Sequence, residues 1–382
     1  MILFVDQSGQ PGGAELCLAD IAADLRNRSR VLLLSQGPFE EQLRARGIAV
    51  SVLQTPQRLA GIGKAAGIGS YLAALPELAG FLRRLRHEIR SADAVYFNTA
   101  KALLYGVVVG AGLGKPCLFH LHDLLTPDHF SRLNIRLIVS AANRTGGVIA
   151  NSRATADAFR AAGGKAPVHV IPNGFDPLRF APRPDAEIHA VRRKISTGTA
   201  PVAAVFGRIA RWKGQDLLLR AAAQIPGLEV WIVGAPFFTG DDRLYDSELR
   251  ALASSPGLAG RVAFLGQRDD VPLLMQAADV IVHTSTAPEP FGRVVVEGML
   301  SRKPVVASCA GGPAEMIRDG ETGWLFPPGD AAALADALRH ILALSDRGAR
   351  TGLLASDEAV KQYSLPSILE KTSCMISGLS SK

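Results

Sequence analysis

The chain has 382 residues, 48% hydrophobic and 20% charged, with a formal net charge of +7. That length favours two domains over one, and the composition is that of a soluble globular chain with ample core. Aromatic residues make up 6% and do not interleave with basic ones, which disfavours nucleic acid as a partner. Cys17, Cys117, Cys309 and Cys374 lie far apart with no CxxC pair. They argue against zinc and a disulfide framework and fit a reducing cytosol. No run reaches the ~18 apolar residues of a membrane span. The opening run MILFV, ended by Asp6, is too short and too uncharged in front for a signal peptide. The whole excess of +7 falls in residues 1–175, while residues 176–382 balance. It is either a footprint for an anionic partner, such as a phospholipid surface or phosphorylated acceptor, or ordinary scatter of surface arginines.

Ile2–Val5 reads as a strand, followed by the loop Asp6–Gly13 with PGG and an amphipathic helix from about Ala14. This order is the first turn of a doubly wound α/β domain. The loop is not GxGxxG, which makes a dinucleotide reading weak. Gly12 and Gly13 would still let backbone amides approach a ligand with no side chain in the way. Val31–Leu34 and Ala49–Leu53 read as the next strands, and residues 55–75, with Gly61, Gly63, Gly67 and Gly69, as a flexible crossing. A helix over Leu75–Ile89 carries Pro76 in its first turn. Leu78, Leu82, Leu85 and Ile89 make one apolar stripe, with Arg83, Arg84 and Arg86 around it and Arg90 just beyond. A stripe in the core under a solvated basic face is the favoured reading, and contact with a membrane surface the other. Ala94–Phe97 and Pro116–His120 read as strands around a helix, Ala102–Ala111. The second runs into Leu121-His122-Asp123, and a histidine at the C-terminal end of such a strand stands where these sheets bind ligands. Val148–Asn151 is a further strand, Ser152 caps the helix after it, and Val168–Ile171 closes the sheet before the turn Pro172-Asn173-Gly174.

Residues 173–200, rich in Pro and Arg, read as a linker and connecting helix. A second α/β unit begins at Pro201–Phe206, followed by GRIARWKGQ and a helix from Gly214 or Gln215. Arg208 and Lys213 in that strand-to-helix loop form a cationic pair suited to a diphosphate. Strands at Glu229–Val233, Val262–Leu265, Val280–His283, Pro304–Ala307 and Trp324–Phe326 alternate with helices. Ala331–Leu344 and Asp357–Ser377 read as helices, the last interrupted near Pro366. Asp216, Asp241 and Asp242 supply acid, but no DxD stands where a metal–diphosphate site would need one. In Thr286–Gly298, Pro288 and Pro290 keep Glu289 in a loop, while Glu297 lies in the helix that follows. A strand end, a glycine turn and a helix N-terminus make an anion site, and a carboxylate beside it suits sugar hydroxyls. Strand–helix alternation, seen twice around one linker, predicts an α/β chain of two facing Rossmann-like doubly wound domains with a cleft between them. The expected bounds are 1–175 and 176–360, with a helix at 361–382 packing back toward the first domain.

Six patterns in order carry a family resemblance: PGGAE at 11–15, ANSRATADAF at 150–159, VIPNGFDPLRF at 170–180, GRIARWKGQDLLLRA at 207–221, EPFGRVVVEGML at 289–300 and GGPAEMIRDGETGWLF at 311–326. The chain resembles a retaining GT-B glycosyltransferase of family 4, the "glycosyl transferases group 1". The pair Glu289 and Glu297 fits that family's E-x7-E motif, and residues 16–149 contribute little. The match departs at Gly298, where many relatives carry alanine.

The resemblance implies that Arg208 and Lys213 bind the donor's diphosphate and stabilise it as a leaving group. It implies that Glu297 holds the ribose hydroxyls. Glu289 lies beside the donor sugar, with backbone amides near Phe291, Gly292 and Arg293 holding sugar and phosphate. Gly12 and Gly13 correspond to the loop that closes over the diphosphate. His122 matches a histidine that contacts the donor sugar, with His120 as the alternative register, and Gln267 and Arg268 follow the strand where the base sits. The implied enzyme moves a sugar from a UDP- or GDP-sugar to a cell-envelope glycan or glycolipid, needs no cofactor or metal, and works in the cytoplasm or peripherally on the inner face of the membrane. Other readings are a GT-B epimerase or phosphorylase, a non-catalytic sugar-nucleotide-binding subunit, and a dehydrogenase. The joint presence of Arg208, Lys213, Glu289 and Glu297 disfavours the non-catalytic subunit, and the absent GxGxxG disfavours the dehydrogenase.

Overall fold

The computed structural model describes residues 1–57, 75–110, 113–196, 198–236 and 240–379. Most of the glycine-rich crossing expected over 55–75 lies outside them. The chain forms two compact units, Met1–Gly174 with Pro366–Lys382, and Phe175–Leu365.

The first unit is built on a parallel sheet of β1 (Ile2–Asp6), β2 (Ser29–Leu33), β3 (Val50–Val52), β4 (Ala94–Phe97), β5 (Cys117–Leu121), β6 (Gly147–Ala150) and β7 (Val168–Val170). The strand order is β3-β2-β1-β4-β5-β6-β7, so the winding reverses between β1 and β4, where Val5 stands opposite Phe97. Both faces of the central strands are covered, and this is why they are nearly continuous apolar runs. β5 starts one residue later than the sequence suggests, at Cys117 rather than Pro116, since proline has no N–H for the ladder.

The helix Leu75–Arg90 buries Phe81, Leu85 and Ile89, with Leu78 and Leu82 packed against the same core. Arg83, Arg84, Arg86 and Arg90 are exposed, and the Arg86 guanidinium donates to the Val109 carbonyl. Its apolar stripe is thus core. The helix Arg132–Ala142 had no reading in the sequence. Ser131 begins it as a cap, accepting from the Asn134 amide at 3.3 Å.

At the other end of the chain, the break falls at Ser364, between the helices Ala349–Tyr363 and Leu365–Leu379. Pro366 is tolerated in the first turn of the second helix. Ile368 and Ile376 of that helix pack with Ile2, Phe4, Leu18 and Ile149 of the first unit.

The second unit carries β8 (Val202–Phe206), β9 (Glu229–Val233), β10 (Val262–Gly266), β11 (Val280–His283), β12 (Val305–Ser308) and β13 (Trp324–Phe326), all parallel, in the order β10-β9-β8-β11-β12-β13. Along β8, Val202, Ala204 and Phe206 enter one core, and Ala203 and Val205 the other. The winding reverses between β8 and β11, the place where open α/β sheets bind ligands. Among the described residues, no helix is long and apolar enough to cross a membrane.

Candidate active site

The reversal in the second unit gathers a cluster of paired charges. After β8 the chain runs through Arg208 to a short turn, Arg211–Lys213, and into the helix Gln215–Ala222. Gln215 closes this loop by donating to the Arg208 carbonyl at 2.9 Å. Lys213 Nζ donates to Glu289 Oε2 at 2.6 Å and lies 4.2 Å from the centre of the Trp212 ring. Ser285 Oγ donates to the same oxygen at 2.8 Å, and His283 Nε2 lies 3.4 Å from it. Two further hydrogen bonds to backbone carbonyls join the two loops. Thr284 Oγ1 donates to the Lys213 carbonyl at 2.7 Å, and the Thr286 amide to the Trp212 carbonyl at 2.9 Å. Burial pushes the Glu289 carboxyl up, but the Lys213 charge and the hydrogen bonds from His283 and Lys213 together outweigh it. They hold the group well below its ordinary value of 4.5, so it is an anion.

Residues 310–312 brace the same loop, the Gly312 amide donating to the Glu289 carbonyl at 2.8 Å. Glu297 sits one turn into the helix Arg293–Leu300, with Arg293 Nη2 3.5 Å from its Oε1. The Arg293 guanidinium lies 4.4 Å from the centre of the Phe175 ring, which stacks on Phe291. The Phe291 side chain is therefore core, and only its backbone remains for a ligand. Gly298, where the chain departs from the family, faces β11 and β12. A Cβ there would come within 2.9 Å of Val305 Cγ2 and 3.2 Å of Ile281 Cγ2, so the helix packs too close for alanine without adjustment.

Gln267 and Arg268 are exposed after the edge strand β10, and Arg268 pairs with Asp270 at 2.7 Å. Asp216 accepts from the Tyr245 hydroxyl at 2.6 Å, and Asp241 lies 3.7 Å from Arg211. Among the described residues, no group of three or more His, Cys, Asp or Glu is arranged to hold a metal ion.

In the first unit, β1 ends on Asp6, and Asn98 and His122 each stand one residue past the ends of β4 and β5. Asn98 Nδ2 donates to Asp6 Oδ2 at 2.5 Å, and its Oδ1 lies 3.0 Å from His122 Nε2. Of the two histidines left open by the sequence, His120 is 2% exposed, with its Nδ1 2.5 Å from the Tyr96 hydroxyl. Burial, with His122 alongside, pushes its pKa well below 6.5. His122 is half-buried and stands just past the strand. Gly12 precedes the helix Gly13–Asp24, and Gly13 is exposed.

Glu15, in the first turn of that helix, is buried. Burial and then the charge of Asp6, with Asp123 adding, push it from 4.5 up to about 8. Burial likewise lifts Asp6 from 3.8 to about 6. A raised carboxyl binds its proton more tightly in the folded state, so these groups favour folding at low pH. Their contribution falls as pH rises from about 4 and is gone above about 8. Urea unfolding across that window should show stability falling on the order of a few kcal/mol, and Glu15→Gln should remove most of the slope. Parallel profiles for the two proteins would show that Glu15 is not its source.

The sequence reading passed over Asp6, Asn98, His283 and Ser285 as site residues. Each had a local signal, a polar side chain at or just past the C-terminal end of an apolar strand.

Two parallel doubly wound units with a charged centre at a winding reversal place the chain in the GT-B class. Residues 188–353 match the family model for glycosyl transferases group 1, and residues 11–179 that for Glycosyltransferase Family 4. The crystal structure of Anabaena Alr3699/HepE in complex with UDP-glucose is 38% identical, covers 99% of both chains and has a TM-score of 0.89. The chain therefore belongs to the group 1, family 4 glycosyltransferases. The lipopolysaccharide core biosynthesis glycosyltransferase LpsE of Rhizobium meliloti is 34% identical over 180 residues, 47% of this chain and 51% of that one. A D-inositol 3-phosphate glycosyltransferase of Nocardia farcinica is 37% identical over 197 residues, 49% of this chain and 42% of that one. The match thus spans about half the length of these curated relatives.

Proposed function

We propose that the chain moves a sugar from a UDP-sugar to a hydroxyl of a cell-envelope glycan or glycolipid, retaining the anomeric configuration and using no metal ion. The observation that carries this reading is the convergence of Lys213, Ser285 and His283 on one oxygen of Glu289 at the β8–β11 reversal. Those donors use Oε2, which leaves Oε1 to accept from sugar hydroxyls.

Lys213 and Arg208 would stabilise the charge that grows on the departing diphosphate, work that a metal ion does in other enzymes. The N-terminus of the helix Arg293–Leu300 adds partial positive charge through the amides of Gly292 and Arg293. Glu297 would accept from the ribose hydroxyls, and Gln267 and Arg268 would lie at the base. Gly12, Gly13 and His122 are proposed as donor contacts on the family pattern, as is same-face transfer without a covalent intermediate.

UDP is preferred over GDP because HepE was solved with UDP-glucose. The positive charge of residues 1–175 and the likeness to LpsE support an anionic envelope acceptor, reached from the inner face of the membrane.

Titration calorimetry with UDP, GDP, ADP and NAD should show selective binding of UDP that EDTA does not change. With UDP-glucose and an envelope glycolipid fraction, NMR should find UDP and an α-linked product. Binding of NAD alone would overturn the reading. A new sugar nucleotide formed without acceptor would make the chain an epimerase instead.

A further inference from the structure

Gly214 ends the turn that carries Lys213 and opens the helix Gln215–Ala222 with φ +64°. A Cβ on it would come within 2.4 Å of the Thr284 carbonyl oxygen, so only glycine fits. Glycine has no side chain to cap a helix, and the first amides of this one need acceptors from elsewhere. The acceptor for the Asp216 amide is the Tyr245 hydroxyl, at 3.0 Å. The same hydroxyl donates to Asp216 Oδ1 at 2.6 Å, so it ties both the main chain and the side chain of one residue. Burial, and then the bond to Asp216, raise the phenol above its ordinary 10.0, and it keeps its proton for that bond.

Tyr245 belongs to the helix Gly240–Ala253, which reaches the turn at a second point. Glu248 grips Arg211 with two hydrogen bonds, at 2.9 Å and 3.1 Å, and the Arg211 guanidinium lies 5.1 Å from the centre of the Tyr245 ring. That ion pair is half exposed and contributes little by itself. The tie at Tyr245 is different, because the residue is 2% exposed. Its ring sits in a core with Leu217, Leu218 and Leu249, and that packing docks the two helices without the hydroxyl. Both hydrogen bonds of the hydroxyl go to Asp216. Lys213 stands in the chain between the two held points, Arg211 and Asp216, and its own carbonyl is held by Thr284.

We propose that Tyr245 is a positioning residue for the transfer reaction: by holding Asp216 it fixes the turn and sets where the Lys213 ammonium meets the donor's diphosphate. This rests on the donor-side role of Lys213 proposed above.

Tyr245→Phe keeps the ring in its core and removes only the hydroxyl. It should lower kcat/KM for UDP-glucose about tenfold and weaken UDP binding in titration calorimetry, the effect of one lost hydrogen bond. A loosened loop could do the same without acting through Lys213, so the decisive comparison is made in a Lys213→Met background. With no ammonium left to place, Tyr245→Phe should change kcat/KM there by less than about twofold. An undiminished loss in that background would make Tyr245 a structural residue and overturn the proposal, as would wild-type kcat/KM in Tyr245→Phe alone.

Asp216→Ala breaks the same tie from a side chain that is 28% exposed, at a helical position where alanine is favourable, so the fold is kept. It should lower kcat/KM about threefold, again only while Lys213 is present. Lys213→Met with wild-type UDP binding would instead remove the donor reading, and this proposal with it.

Discussion

Lys213→Met is expected to lower kcat/KM by about 10²–10³-fold, the loss seen when one fixed donor is taken from a developing anion. Affinity for UDP should fall with it, because the same ammonium would meet the diphosphate before and during bond breaking. The change should also destabilise the second unit, since it strips the partner from Glu289. The two side chains are 21% and 12% exposed, so removing one leaves a nearly buried carboxylate. A fully buried pair broken in this way costs about 3–5 kcal/mol, and the residual exposure of this one places it near the lower limit. Lys213→Met/Glu289→Gln should regain most of that stability and none of the activity. This separates the structural role of the pair from the chemical one. UDP binding and kcat/KM within about twofold of the wild type would remove Lys213 from the site.

The same pair sets an acid limit. Because Glu289 is held below its ordinary 4.5, its contribution is complete above that pH. It is lost as pH falls toward the depressed folded value, and Glu289→Gln should lack that acid limb.

Gly311→Ala should be nearly as damaging without touching a charge. Gly311 has φ +71°, and a Cβ on it would come within 2.1 Å of the Glu289 carbonyl oxygen and 2.9 Å of the Glu289 amide nitrogen. The loop carrying Glu289 would have to move, and with it the convergence on Oε2. We expect a loss of at least about 3 kcal/mol and near-complete loss of UDP binding, from backbone strain and steric overlap together. Gly320 is the control. Its φ is +77°, and nothing lies within 4 Å of a Cβ there. Gly320→Ala should thus incur only the left-handed conformational cost of about 1–2 kcal/mol and leave binding intact. Equal losses in urea unfolding at both positions would mean that conformation alone, and not contact with Glu289, decides the cost.

The strands, the capping of helices by Ser152 and the loop placement of Glu289 were legible in the sequence. Each depends on residues a few positions apart: an apolar run, a hydroxyl before a helical stretch, a proline on either side. The motifs around Lys213, Glu289 and Glu297 were legible for the same reason, since each is a continuous string. Phe81 was missed because the stripe of Leu78, Leu82, Leu85 and Ile89 describes its helix almost as well.

What the sequence could not show is which oxygen of Glu289 meets Lys213, 76 residues away, or that His283 and Ser285 share it. That meeting exists because β11 returns to lie beside β8 after β9 and β10 have been laid on the other side. The line from Asp6 through Asn98 to His122 likewise crosses three strands that are neighbours only in the sheet. Local pattern sets what each segment becomes, because propensity and periodicity act over a few residues. Strand order and register set which segment ends stand together, and those come from burying both sheet faces at once.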